Sequence, residues 1–210
     1  MNLKTSQLSI KYKNSTLLRF PDLELKAGER ILIKGPSGCG KTSWLYALCG
    51  IIPLHSGKIM VGDVEFSTLP IVEKDRFRAR NFGLIFQEAR LLPSLTVNEN
   101  VQLATNFISP KEVATQIPEI LCLLDLEKVK NKKIGQISSG EKQRTTIARV
   151  LLQKPSFILA DEPTSALDDQ RTEDVINLLI QSAKTINAGL IVVTHDLRLD
   201  PYFSQKMDLS

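Results

Sequence analysis

The chain has 210 residues, 42% hydrophobic and 24% charged, and carries a formal net charge of +4. That length suits one well-packed domain, and no apolar run approaches the roughly 20 residues that a membrane-spanning helix needs. The first residues lack the apolar centre of a signal peptide, the three cysteines have no metal-ligand spacing, and no basic tract interleaved with aromatics points to nucleic acid. Together these features describe a reduced, cytosolic protein, with Lys and Arg scattered over a solvated face rather than gathered for acidic lipid.

Residues 5–10 read as a strand, and 17–25 as another that breaks near Pro21-Asp22. Tyr12 lies in the loop between them, placed either to stack on a nucleotide base or to pack half-buried. An apolar run at 30–34 leads into Gly35-Pro36-Ser37-Gly38-Cys39-Gly40-Lys41-Thr42-Ser43, which fits G-x-x-x-x-G-K-[ST], and helix-like residues follow to 48. A strand ending in a glycine turn that opens a helix aims successive N–H groups at an anion, and the helix dipole adds to the pull. Lys41 is placed to reach the β- and γ-phosphates of a nucleotide, and the Thr42 hydroxyl to ligate Mg²⁺. Cys39, beside Lys41 at a helix N-terminus, is either a reactive thiol of lowered pKa or a small residue that fits.

Residues 56–66 have a hairpin pattern turned at Gly62-Asp63, residues 69–80 that of a polar, basic surface helix, and residues 81–86 that of an apolar strand ending at Gln87. A glutamine at the carboxyl end of a central strand is placed to ligate Mg²⁺ or to hold an attacking water. Beyond it the pattern turns helical. Thr96 and Glu99 have capping-box spacing, and residues 110–126 carry apolar side chains at helical intervals (Val113, Ile117, Ile120, Leu121, Leu124). Roughly 50 residues exceed a single crossover, so about 88–136 read as a helical subdomain inserted in one domain spanning 1–210.

Ile137-Ser138-Ser139-Gly140-Glu141 precede a helix at 142–153, closed by Pro155. Small residues opening a helix make either a second anion site or an ordinary N-cap. Residues 156–163 read as a buried strand ending in Asp161 and Glu162, two carboxylates too costly to bury without a cation nearby. Asp161 suits Mg²⁺, and Glu162 suits polarising the water that attacks a γ-phosphate. After the loop Ser165-Ala166-Leu167-Asp168, Asp168 or Asp169 caps a helix whose buried stripe is Val175, Leu178, Leu179 and Ile186. A last buried strand starts at Gly189 and is terminated by His195, which is either structural or a γ-phosphate contact at the sheet's carboxyl edge.

In this order the pieces closely resemble the ATP-binding subunit of ABC transporters, over nearly the whole chain. Residues 35–42 look like its Walker A, Gln87 like its Q-loop, 137–141 like its signature motif and 157–162 like its Walker B. Residues 165–168 look like the D-loop, His195 like the switch histidine and Tyr12 like the adenine-stacking aromatic. Stretches 83–87, 91–93, 97–101 and 159–164 further resemble the lipoprotein-releasing and macrolide-exporter group. The resemblance implies an α/β P-loop NTPase with a RecA-like, mostly parallel core sheet, an N-terminal antiparallel part and an α-helical subdomain. It implies ATP hydrolysis with Mg²⁺ served by Thr42, Gln87 and Asp161, and with Glu162, His195 and Gln87 as the catalytic set. It also implies a head-to-tail homodimer or heterodimer, in which Ser138, Ser139, Gly140 and Glu141 act in trans on the partner's ATP, with Ser165 and Asp168 in the D-loop. A separate transmembrane permease would hold the subunit peripherally on the cytoplasmic face of the cell membrane, with no nucleic-acid partner.

Two departures from the family pattern carry expectations of their own. The family signature is Leu-Ser-Gly-Gly-Gln, so Ser139 places a Cβ where a glycine would face phosphate. If that position needs positive φ, strain of about 1 kcal/mol would slow hydrolysis or weaken dimerisation. Only fifteen residues follow His195, so the closing strands and terminal helix are expected to be missing. Two other readings stay open: a soluble ABC ATPase of DNA repair or translation, which usually carries coiled-coil insertions or fused cassettes, and a nucleotide-gated scaffold that hydrolyses poorly.

Overall fold

A computed structural model describes residues 1–12, 17–104, 110–165 and 167–209; Ala166 of the expected D-loop lies outside them. Strands β1 (Asn2–Lys11), β2 (Leu17–Arg19), β3 (Glu24–Lys26) and β4 (Arg30–Lys34) lead to helix α1 (Lys41–Leu48). Then come β5 (Ser56–Val61), β6 (Val64–Glu65), α2 (Ile71–Asn81) and β7 (Phe82–Ile85). Helices α3 (Val97–Gln102), α4 (Pro110–Leu123) and α5 (Ser139–Gln153) precede β8 (Phe157–Asp161), α6 (Asp169–Thr185), β9 (Gly189–Thr194) and β10 (Gln205–Asp208).

The strands sort into two sheets. One is antiparallel, in the order β2-β1-β5-β6 with β3 also on β1; the other runs β10-β4-β9-β8-β7 and all its pairs are parallel. Parallel strands buried on both faces need apolar residues at every position, and β8 and β9 have no exposed residue. The period of two then deals these residues to two cores. Ile31, Ile33, Phe157, Leu159, Ile191 and Val193 face a layer holding α1 and the antiparallel sheet, with Trp44, Leu45 and Phe66 fully buried in it. Leu32, Ile158, Ala160, Leu190 and Val192 face the opposite layer, built from α3, α4, α5 and α6. Each such fully buried large side chain contributes about 1.5–3 kcal/mol of transfer free energy.

Most expected elements form near their expected bounds, and the differences have local causes. The break at Pro21-Asp22 separates β2 from β3, and the hairpin turns at Gly62-Asp63. α4 stops at Leu123 rather than 126, because Asp125 turns left-handed at φ 53°. On α6 the fully buried face is Thr172, Ile176, Leu179, Ser182 and Ala183, while Val175, Leu178 and Ile186 are only partly covered. α5 begins at Ser139, three residues before the expected start, because Ser138 and Glu141 form a reciprocal capping box. The expectation that the closing strands are missing is corrected in part: β10 forms after His195 and pairs in parallel with β4.

Candidate functional site

Every strand of the parallel sheet runs towards one edge, with Asp161 at the end of β8 and the phosphate loop, Gln87, Glu162 and His195 just beyond the ends of β4, β7, β8 and β9. After β4 the chain passes through Gly38 and Gly40 at φ 84° and 100°, backbone that L side chains rarely adopt. Gly40 is the N-cap of α1 and no side chain caps this helix, so its first-turn N–H groups remain available to an anion. The Lys41 ammonium is buried under the loop, donating to the carbonyls of Gly35 (2.8 Å) and Pro36 (3.0 Å) and lying 3.5 Å from Glu162 Oε1. Thr42 Oγ1 donates to Asp161 Oδ1 at 3.0 Å, joining residues 119 positions apart. Burial pushes the Asp161 carboxyl above its ordinary range, against the opposing pull of the Thr42 hydrogen bond.

Glu162 continues β8 by one residue, its N–H donating to the Val193 carbonyl at 2.9 Å. Its backbone is left-handed at φ 45°, a conformation costing a non-glycine residue about 1 kcal/mol or more. The side chain is held from three directions. Oε2 accepts from Thr194 Oγ1 at 2.8 Å and from the His195 N–H at 3.3 Å, and Oε1 lies 2.8 Å from His195 Nδ1. An open cleft of about 330 Å³ is lined by Ser37, Gly38, residues 40–43, Gln87, Glu162 and His195. Cys39 is partly buried and packs against Gly35. Tyr12 is exposed, its hydroxyl 2.9 Å from Ser43 Oγ.

Ser138, Ser139 and Gly140 stand apart from this cleft. They line a second groove of about 270 Å³ with Arg144, Val175 and Leu178. Ser138 Oγ accepts from Glu141 N–H at 3.2 Å, and the Glu141 carboxylate accepts from Ser138 N–H at 2.6 Å, which holds its pKa below the ordinary range. The strain expected at Ser139 does not arise. Ser139 is the exposed first residue of α5 and is not among the positive-φ residues, so its backbone is one that serine adopts freely. Asp168 is the N-cap of α6, accepting from Arg171 N–H at 2.9 Å, and Ser165 N–H donates to the Glu162 carbonyl at 3.2 Å.

Two participants escaped the sequence reading. Thr194 is fully buried and grips Glu162, and its place directly before His195 was the available signal. Tyr46 lies against Asp161, and its hydroxyl is pushed up by burial and by that carboxylate's charge; one turn of α1 beyond Thr42 was the clue.

Comparison with known proteins identifies the family and the fold. A family model described as ABC transporter matches residues 18–165. The lipoprotein-releasing system ATP-binding protein LolD of Idiomarina loihiensis is 34% identical, over 94% of this chain and 89% of its own. The bacitracin export ATP-binding protein BceA of Halalkalibacterium halodurans is 36% identical, over 89% and 74%. Among solved structures, the dimeric post-hydrolysis state of the ATP-binding cassette MJ0796 bound to ADP and Pi superimposes with a TM-score of 0.86 at 31% identity, covering 99% of this chain and 94% of that one.

Proposed function

The chain belongs to the ABC transporter ATP-binding family and is an ATPase; from that premise we propose that it drives a separate transmembrane permease by closing head-to-tail over ATP. The observation that carries this reading is the convergence of Lys41, Thr42, Asp161, Glu162 and His195 from three separate segments of chain onto one sheet edge. Lys41 exchanges the carbonyls of Gly35 and Pro36 for the β- and γ-phosphates, and the first-turn N–H groups of α1 take the remaining oxygens. Tyr12 stacks on the adenine. Glu162, oriented by Thr194, accepts the proton of the attacking water, and His195 meets the γ-phosphate and steadies that water. The hydroxyl and carboxylate oxygens of Thr42 and Asp161 suit a hard divalent cation. With Gln87 they would hold Mg²⁺, whose chemistry there is to neutralise phosphate charge.

The groove at Ser138, Ser139 and Gly140 receives the partner protomer's ATP, with the N-terminus of α5 towards its γ-phosphate. Ser165 and Asp168 place the D-loop in the same interface. Residues 88–136 act as a helical subdomain that passes this closure to the permease. Its seat is the groove of about 300 Å³ beside that subdomain, where Arg78, Arg90 and Arg149 surround Phe86 and Leu103. No helix among the described residues is long and apolar enough to cross a membrane. The relatives named for release and export systems support work at the cytoplasmic face of a cell membrane. A poorly hydrolysing scaffold loses the observation behind it once Ser139 is helical and unstrained. Steady-state ATPase of wild type against Glu162→Gln tests the reading: removing the base is expected to cost about 10²–10⁴ in rate, and equal rates would overturn it.

A further inference from the structure

Arg198 belongs to none of the motifs above, yet its guanidinium ties two of them together. It lies in the 3₁₀ turn Leu197–Tyr202, just past His195. Nε donates to Asp196 Oδ1 at 2.9 Å and Nη2 to Asp196 Oδ2 at 2.8 Å, a two-point fork. Nη1 reaches the neighbouring loop, donating to the Leu167 carbonyl at 3.2 Å and to Asp169 Oδ1 at 2.6 Å. Asp196 Oδ2 also accepts from Thr164 Oγ1 at 3.0 Å, and Asp196 N–H donates to Thr194 Oγ1 at 3.0 Å. That hydroxyl in turn donates to Glu162 Oε2 at 2.8 Å. Hydrogen bonds therefore run unbroken from the Leu167 carbonyl, through Arg198, Asp196 and Thr194, to the Glu162 carboxylate beside His195.

We propose that Arg198 is a positioning residue that sets the loop before α6 against the Glu162–His195 pair, so that the hydrolytic step depends on where that loop stands. The inference rests on the reading of Glu162 as general base. Its strength is uneven along the clasp. Asp169 is 92% exposed, so its arm adds little. Asp196 is only 12% exposed and shares its oxygens with the buried Thr164, so this arm carries the orientation. A lysine could not reproduce it, because one ammonium cannot fork across a carboxylate and also reach a second loop.

The test measures ATPase kinetics, affinity for a fluorescent ATP analogue and the thermal midpoint for wild type, Arg198→Ala, Arg198→Lys and Glu162→Gln. Arg198→Ala is expected to lower kcat about tenfold, or about 1.4 kcal/mol, with KM and analogue affinity within about twofold. Arg198→Lys should recover less than half of the loss. An unchanged kcat, a loss matched by weaker nucleotide binding, or full rescue by lysine would each overturn the proposal. If wild type hydrolyses no faster than Glu162→Gln, the reading of Glu162 has failed, and amide exchange judges the clasp by itself. Faster exchange at Leu167 and Arg171, whose N–H groups donate to the Thr164 carbonyl and to Asp168 Oδ1, in Arg198→Ala with β9 unchanged upholds it, and unchanged exchange at both rejects it.

Discussion

At Glu162 the carboxylate, the left-handed backbone and the grip of Thr194 coincide, so this side chain is aimed by tertiary contacts rather than by its own preference. Ser139 is the opposite case: a departure from the family pattern that costs the fold nothing, because its backbone is that of a helix start. Ser139→Gly is therefore expected to leave the thermal midpoint unchanged or slightly lower, since glycine inside a helix costs up to about 1 kcal/mol. A midpoint raised by several degrees would mean that the serine is strained after all. The carboxyls of Asp196 and Asp200 both lie below the ordinary range, the first held there by its hydrogen bond from Arg198, the second by that from Lys34. A folded pKa below the unfolded value of about 4 contributes stability that is present above pH 4 and lost as pH falls through the folded value. The denaturant midpoint should accordingly drop below about pH 4, and Arg198→Ala should flatten the drop by removing the Asp196 share. Parallel curves for the two proteins would refute this.

Two helices carry the same local device for different ends. α3 and α5 each start with a reciprocal capping box, Thr96 with Glu99 and Ser138 with Glu141. The first was legible in the sequence from spacing alone. At the second, the Ser-Ser-Gly run was open to two readings, and the structure makes it a cap without removing it from a groove. Thr96→Ala and Ser138→Ala are each expected to cost about 1 kcal/mol of stability in urea unfolding. Only Ser138→Ala should also slow ATP hydrolysis. If it loses stability yet keeps the wild-type rate, the hydroxyl has no part in the partner's site. Helix bounds were otherwise read to within a few residues, and the misses at α4 and α5 both sit at termini, where single backbone turns decide.

Across the whole molecule, the parallel sheet is the shared wall of two cores, so a small change on either face is felt through it. Gly83 in β7 faces α5 so closely that a Cβ there would meet Val150 Cγ1 at 2.5 Å and Pro155 Cγ at 2.8 Å. Gly83→Ala should therefore destabilise the protein by about 1–3 kcal/mol, read as a lower urea midpoint with an unchanged slope. A neutral result would show that α5 can shift without cost. No residue near Gly83 in the sequence announces this constraint, since Val150 comes from another element.

The sequence by itself determined the phosphate loop, the buried carboxylate pair, the hairpin and the α/β order, because each depends on covalent spacing and a local period of apolar residues. It also pointed to the residues that gather at the sheet edge. Only the tertiary structure decided how they meet: Lys41 against Glu162, Thr42 against Asp161, and Thr194 and Arg198 as the supports behind them. Those contacts join strand ends far apart along the chain, and their distances are set by strand register and sheet order, which no local pattern encodes.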